Sequence, residues 1–337
     1  MIKEAIKMLT QSIHLSENEM IEAMNDIMEG RSTDAQTASF LTALRIKGET
    51  IEEITGAAKV MREKASKIKA PENTVDTCGT GGDMAHTFNI STTAAIIVAA
   101  AGIPVAKHGN RSVSSSCGSA DILEALGVKI DLAPQKVEKC LEETGFGFMF
   151  APLFHPAMKY AIGPRKEMGI RTIFNILGPL TNPAGAQRQV LGVFSDNLTV
   201  TMANVLGNLG IIHAFIVHGE DGLDEITNTG STKVSELKNG KVETYYISPE
   251  DFGFKKARSE DLTGGTAAEN VKITLDILNG TGGGPKRDIT AMNAAAALLA
   301  GNAANNFLEA TKKVINTIDS GLALKKLDEI KKVSNRL

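Results

Sequence analysis

The stretch "TVDTCGTGGDMAHTFNISTTAAIIVAAAGIPVAKHG", residues 74 to 109, decides the fold. It opens on the short strand TVDTCG, crosses a glycine loop, continues as the apolar helix TTAAIIVAAAG and ends in a second strand, IPVAKHG. The same grammar extends on both sides of it. ADILEALG and APQKVEKCLEETG read as helices, the latter with proline in its first turn, and the alternation resumes at QVLGVFS, TVTMANVLGNLG and HAFIVHG. Strands alternating with helices imply an α/β protein with a mainly parallel central sheet flanked by helices. The chain closes on the alanine-rich helix AMNAAAALLAG and a lysine-rich amphipathic one.

The first seventy residues follow a different rule. A capping box at Ser16 to Glu19 starts a helix with its apolar stripe on Met20, Met24, Ile27 and Met28, stopping at Gly30. A second helix covers Asp34 to about Lys47. A third starts at Thr50 with Glu53 three residues on, carries Ile51, Ile54, Ala58 and Met61 on one face, and fades near Ile68. The expected organisation is therefore a small helical domain at 1–70, completed by a Gly/Pro-broken helical excursion around 160–185. A large α/β domain takes 71–159 and 186–337.

Composition narrows the function. The 337 residues suit one large domain with a smaller one, and 42% apolar with 22% charged residues is the balance of a folded globular chain. A formal charge of -3 gives no global attraction for nucleic acid or an anionic membrane. Cys78, Cys117 and Cys140 have neither metal-ligand nor redox-pair spacing, which fits reduced thiols in a cytoplasm. The longest apolar run, AAIIVAAAGIPVA at 94–106, falls short of the roughly 20 residues that span a bilayer. With acidic Glu4 and no cleavable apolar region, the amino terminus does not read as a signal peptide, and a cytoplasmic location is expected.

Four polar clusters fall at the carboxyl ends of the strands, where open parallel sheets bind ligands. CGTGGD offers consecutive glycines whose N–H groups can converge on a phosphate, although alone it also reads as a tight turn. NIST sets Asn89, Ser91 and Thr92 at a helix start, for capping or for a hydroxyl on a metal or phosphate. In KHGNRSVSSSCGSAD, Lys107 supplies a point charge and Arg111 a planar fork for phosphate oxygens; the serine run leads into a helix capped by Ser119. His108 has no visible carboxylate partner and reads as a loop histidine without catalytic duty. HGEDGLDEIT gathers Glu220, Asp221, Asp224 and Glu225, and hard oxygen ligands beside a phosphate site suggest Mg2+; a solvated acidic turn is the alternative. Three phosphate-suited loops with one acidic loop match a phosphorylated sugar carrying a magnesium-bound leaving group.

The strings GTGGD, TFNIST, KHGNR, GSAD, HPAMK, RKEMGIRTIFNILGPLTNP and HGEDGLDEIT, in this order and spacing, resemble the anthranilate phosphoribosyltransferases over essentially the whole chain. The resemblance implies a homodimer holding phosphoribosyl pyrophosphate (PRPP) and anthranilate in the cleft between its domains, with two Mg2+ ions per subunit. It implies PRPP contacts from Gly79, Gly82, Asp83, Thr87, Asn89, Ile90, Ser91, Thr92, Lys107, His108, Gly109, Asn110, Arg111, Ser112, Val113, Ser114, Ser115 and Ser119. Metal ligands would be Ser91, Asp224 and Glu225, and the anthranilate side Gly79, Asn110 and Arg165. Lys107 and Arg165 would act by charge stabilisation and positioning, with no general base assigned. A guanidinium fork also matches the acceptor's carboxylate on chemical grounds. Two positions depart from the family pattern: Met84, where glycine is common, and Tyr160, where histidine is. The related reading, a pyrimidine nucleoside phosphorylase, lacks a use for the paired Asp224 and Glu225; a silent nucleic-acid-binding relative would need a basic face.

Overall fold

A computed structural model describes residues 1–83, 85–112 and 117–337. The chain starts with four helices, α1 (Ile2–Thr10), α2 (Glu17–Met28), α3 (Asp34–Lys47) and α4 (Ile51–Lys64). Three of them carry their start signals in the local sequence. Ser16, Thr33 and Thr50 each cap a backbone N–H three residues on, and Glu19, Gln36 and Glu53 reach back to complete capping boxes. The helix α1 was not foreseen. It has no side-chain cap of its own, and the Ile2 amide is instead satisfied by the Asp26 carboxylate at 3.0 Å, a partner on α2. Helix α4 ends at Lys64, short of the expected fade near Ile68.

Seven strands form one sheet in the order β3-β2-β1-β4-β5-β6-β7. They are β1 (Val75–Gly79), β2 (Val105–Gly109), β3 (Phe146–Phe150), β4 (Arg188–Gly192), β5 (His213–Gly219), β6 (Thr232–Lys238) and β7 (Lys241–Ile247). The first five are parallel, and β6 and β7 add an antiparallel edge. Helices α5 (Ile90–Ala100), α6 (Ser119–Ala125) and α7 (Pro134–Thr144) follow in the positions expected. Strand β3 and the β6–β7 hairpin add to the expected set. The hairpin turns on Asn239 and Gly240, both at positive φ (51° and 78°), the backbone that an Asn-Gly pair favours.

Alternation along the strands separates two cores. Val190, Phe215 and Val217 join α5 and the alanine-rich helix Pro285–Ala300 on one face. Leu191, Ala214 and Ile216 point the other way, onto the helix Leu198–Asn208. That second core is continuous with the bundle through Met24, Phe40 and Ile54, and also takes Ala161, Phe174 and Leu177 from the excursion. The excursion's helix Lys159–Met168 thus shares buried surface with α1 to α4, while its following segment leads back to β4.

Candidate active site

The strand order places β1 between β2 and β4, so the chain winds to one side after β1 and returns on the other for β4. A crevice opens at the carboxyl ends where that direction reverses. Gly79 and Gly192, the last residues of β1 and β4, are paired in register there. A methyl group on Gly79 would strike the Asp224 carboxylate, and one on Gly192 the Asp224 backbone. The two glycines make the room that lets the acidic loop cross the strand ends.

The glycine loop then wraps this acid. Gly81 and Gly82 both take positive φ, 68° and 80°, and the Gly81 amide donates to Asp224 Oδ2 at 2.7 Å. Asp83 stands beside the same carboxylate, and its proximity raises the proton affinity of both Asp224 and Glu225. Three carboxylates from two distant segments therefore converge. Glu225 Oε1 accepts the Ser91 amide at 3.2 Å. Lys107, buried on β2, donates from Nζ to the Thr77 carbonyl at 2.5 Å and the Ser91 hydroxyl at 3.4 Å.

Burial and mutual repulsion set the electrostatics. Asp224 is pushed well above the ordinary carboxylate range, first by desolvation and then by Glu225 and Asp83. Glu225 rises to about 7 by desolvation, with Lys107 offsetting part of the effect and Asp83 adding to it. Desolvation lowers the Lys107 ammonium, against the attraction of Asp76 and Glu225. Hard, crowded oxygens short of positive charge fit a divalent cation. Among the described residues no three His, Cys, Asp or Glu side chains form a closed metal cage, and magnesium ordinarily completes its sphere with substrate oxygens and water.

A second group of candidates surrounds the turn after β2. Asn110 bonds the Arg111 amide through Oδ1 at 2.8 Å, and its carbonyl accepts the Ser119 hydroxyl at 3.3 Å. Ser119 is the first residue of α6 and not its cap. Gly118 takes the cap position, because the Asp121 carboxylate reaches back to the amides of Gly118 and Ser112 at 2.8 and 3.0 Å. Arg111 is engaged by Asp121 at 2.9 Å and by both Glu124 oxygens at 2.8 and 3.0 Å, so a phosphate would have to draw it away. Val113, Ser114 and Ser115, and the departure at Met84, lie outside the described residues.

The remaining candidates divide by what their side chains do. Asn89 makes no cap bond; it donates to the Cys117 carbonyl at 2.9 Å and accepts from Asn270 at 3.2 Å, tying the two loops together. Ile90 and Thr92 are buried, and the Ile90 side chain belongs to the core, leaving its backbone for any ligand. Thr87 forms an isolated bridge with Thr263. Alternation along β2 turns His108 away from Lys107: its ring packs 4.9 Å from His155, and burial lowers its pKa to about 3. A contact from His108 or Gly109 to PRPP would therefore be a backbone one for the histidine. Tyr160 packs on Gly30, at the turn after α2.

Arg165 stands on the excursion helix, its guanidinium 5.1 Å from the Phe174 ring centroid. Largely desolvated, which lowers its pKa, it has no hydrogen-bond or ion-pair partner among the described residues. Its side chain caps no helix-end carbonyl among the described residues, and the fork is free for a carboxylate. Sequence reading missed Arg171, whose Nη2 donates to the Gly82 carbonyl at 2.5 Å while its guanidinium lies 4.5 Å over the Phe194 ring. No pattern of residue types foretells a bond to a loop carbonyl. Gly192 was also missed, though a glycine ending an apolar strand signals close backbone approach.

A helical bundle beside a mainly parallel sheet, with glycine and acidic loops meeting at its switch point, defines the class of two-domain glycosyl transferases. Residues 3–65 match the helical bundle domain of the glycosyl transferase family and residues 71–324 its a/b domain. Within that class, the chain belongs to the anthranilate phosphoribosyltransferase family. The anthranilate phosphoribosyltransferase of Acetivibrio thermocellus is 60% identical over 336 residues, covering 99% of this chain and 97% of the relative. The crystal structure of the Thermus thermophilus enzyme superposes with a TM-score of 0.93 at 41% identity, covering 98% of this chain and 99% of that one. The Saccharomyces cerevisiae enzyme, solved in complex with PRPP and Mg, gives 0.91 at 29% identity over 100% of this chain and 98% of its own; it has also been solved with 4-fluoroanthranilate.

Proposed function

We propose that this chain transfers the 5-phosphoribosyl group of PRPP to the amine of anthranilate, releasing pyrophosphate and N-(5-phosphoribosyl)anthranilate in L-tryptophan biosynthesis. The observation that carries this reading is the convergence of Asp83, Asp224 and Glu225 with Lys107 and the glycine loop at the sheet's switch point. A buried acidic cluster gives bare phosphate no partner, whereas a magnesium complex of the polyanionic substrate would find ligands there. Asp224, Glu225 and the Ser91 hydroxyl would hold magnesium, with two ions per subunit. Bound there, the metal neutralises charge on the departing pyrophosphate.

The chain's own residues supply position and charge. Lys107, held by Thr77 and Ser91, sets a fixed positive centre beside the crevice. Gly79, Gly82, Asp83, Thr87, Asn89, Ile90, Ser91, Thr92, residues 107–115 and Ser119 bind PRPP. Asn110, Gly79 and Arg165 orient the anthranilate, Arg165 through the acid's two oxygens. The anthranilate nitrogen forms the new bond to C1 of the ribose as the bond from C1 to the pyrophosphate oxygen breaks. The electron pair leaves with pyrophosphate and the amine proton leaves the product. With an oxocarbenium-like transition state, neutralising the leaving group matters more than a strong base.

The helical unit 1–70, with the excursion at 160–185, closes over the α/β unit and keeps water from hydrolysing PRPP. The chain works as a homodimer in the cytoplasm; no helix among the described residues is long and apolar enough to cross a membrane. The test is loss of anthranilate fluorescence on adding PRPP and Mg2+. Phosphorolysis of thymidine or uridine without PRPP-dependent consumption of anthranilate would overturn the reading.

A further inference from the structure

The helix Pro285–Ala300 runs behind the crevice and buries mostly alanine, leucine and methionine. Two of its buried residues are polar. Thr290 satisfies itself within the helix, donating to the Lys286 carbonyl at 2.8 Å. Asn293 reaches out of it. Its Oδ1 accepts the Ile226 amide at 2.9 Å, and its Nδ2 donates to the Ile226 carbonyl at 2.9 Å, with a further bond to the Ile289 carbonyl at 2.9 Å. One side-chain amide thus pairs with both backbone groups of a single residue, as a neighbouring strand would.

Ile226 is the residue immediately after Asp224 and Glu225. It is fully buried and Asn293 is 2% exposed, so bulk water does not take over these bonds when the amide is lost. The same loop is tied from within by Asp221, whose carboxylate accepts the hydroxyls of Thr227 and Thr229 at 2.6 and 2.5 Å and the Leu223 amide at 3.2 Å. Asp221 shapes the turn; Asn293 anchors its far end to the body of the sheet domain. Asn293 and Glu225 border one narrow gap with Thr77 and Ser91. A helix needed for packing alone has no use for a buried amide at this position.

The structure assigns Asn293 as a positioning residue that fixes the direction in which Asp224 and Glu225 face the crevice. The assignment rests on the reading of that pair as the cation end of a PRPP site. Mn2+ titrated into the full chain in the presence of PRPP, followed by electron paramagnetic resonance, reads the pair without turnover. Asn293→Ala raises the Mn2+ half-saturation about tenfold or more, the usual effect of removing a support behind metal ligands. Leu298→Ala, a buried change in the same helix, leaves it within about twofold while lowering the melting temperature. If Asn293→Ala does not fold, Asn293→Ser takes its place under the same criterion. Unchanged half-saturation in the Asn293 variant, or an equal loss in Leu298→Ala, overturns the assignment. Absence of PRPP-dependent Mn2+ uptake in the unmodified chain overturns the functional reading itself, and the assignment with it.

Discussion

Replacing Glu225 with glutamine makes the acidic cluster visible in the stability of the metal-free chain. The carboxyl sits against Asp83 and Asp224 with Lys107 as its counter-charge, and burial with that repulsion raises its pKa from 4.5 to about 7. Between those two values the unfolded chain gives up this proton and the folded chain keeps it. Stability therefore falls as pH rises through that window and levels off above about 7, the opposite of a salt-bridged carboxylate. The displacement corresponds to roughly 3 kcal/mol. With an unfolding entropy of about 2.1 cal/mol/K per residue over the chain, that is about 4 °C in melting temperature. The assay is thermal unfolding in chelator from pH 5 to pH 8. The unmodified chain should lose about 4 °C more than Glu225→Gln across this range; because glutamine also relieves Asp224, the difference belongs to the pair. Parallel profiles for the two proteins would refute the placement of three carboxylates in one desolvated crevice.

Asp224→Asn should lower Mg2+-dependent turnover on the order of 100-fold while leaving the melting temperature of the metal-free chain nearly unchanged, since burial already favours the neutral acid that asparagine imitates; an unaltered rate at limiting Mg2+ counts against the metal assignment. For Arg165→Ala, steady-state kinetics should show the anthranilate KM raised on the order of tenfold to 100-fold, with PRPP binding kept, as a lost charge-assisted pair requires. Equal losses for both substrates would make the residue an organiser of the excursion. Gly192→Ala drives a methyl into the Asp224 backbone and should cost both melting temperature and activity, whereas Gly178→Ala, with nothing within 4 Å, should be near neutral. Similar melting curves for these two variants would remove the steric argument for the strand-end glycines.

What was legible in the sequence was whatever is encoded locally. The helices starting at Ser16 and Thr50 carry their own capping boxes, and the strand, loop, helix and strand of 74–109 carry their own period change. Helix α1 escaped because its cap is an aspartate 24 residues away, and β3 because FGFMF is too short an apolar run to announce its state. The β6–β7 hairpin had a usable signal in Asn239-Gly240. In the site, residue types suited to phosphate and magnesium were visible in their loops. Arg171 and Asn293 were not, because each acts on a backbone group brought near only by the tertiary fold.

The acid inside the glycine loop acquires a physical reason from these contacts. Gly81 would be the natural donor to a phosphate, yet its amide is committed to Asp224 at 2.7 Å. Arg171 holds the Gly82 carbonyl, and the Gly264 amide holds the carbonyl of His86 at 2.9 Å on the loop's far leg. The loop is thus tied to the acidic segment by the protein's own bonds. Asp83 extends that segment, and on the proposed reading it favours a phosphate compound that brings its own cation. A bare nest of glycine amides would accept inorganic phosphate as readily as a pyrophosphate ester. On the proposed reading, the buried acids release their protons to a metal that accompanies the substrate, and a phosphate without one finds no such partner. The proposed preference for a magnesium-bound pyrophosphate thus rests on acids, as well as donors, placed at the switch point.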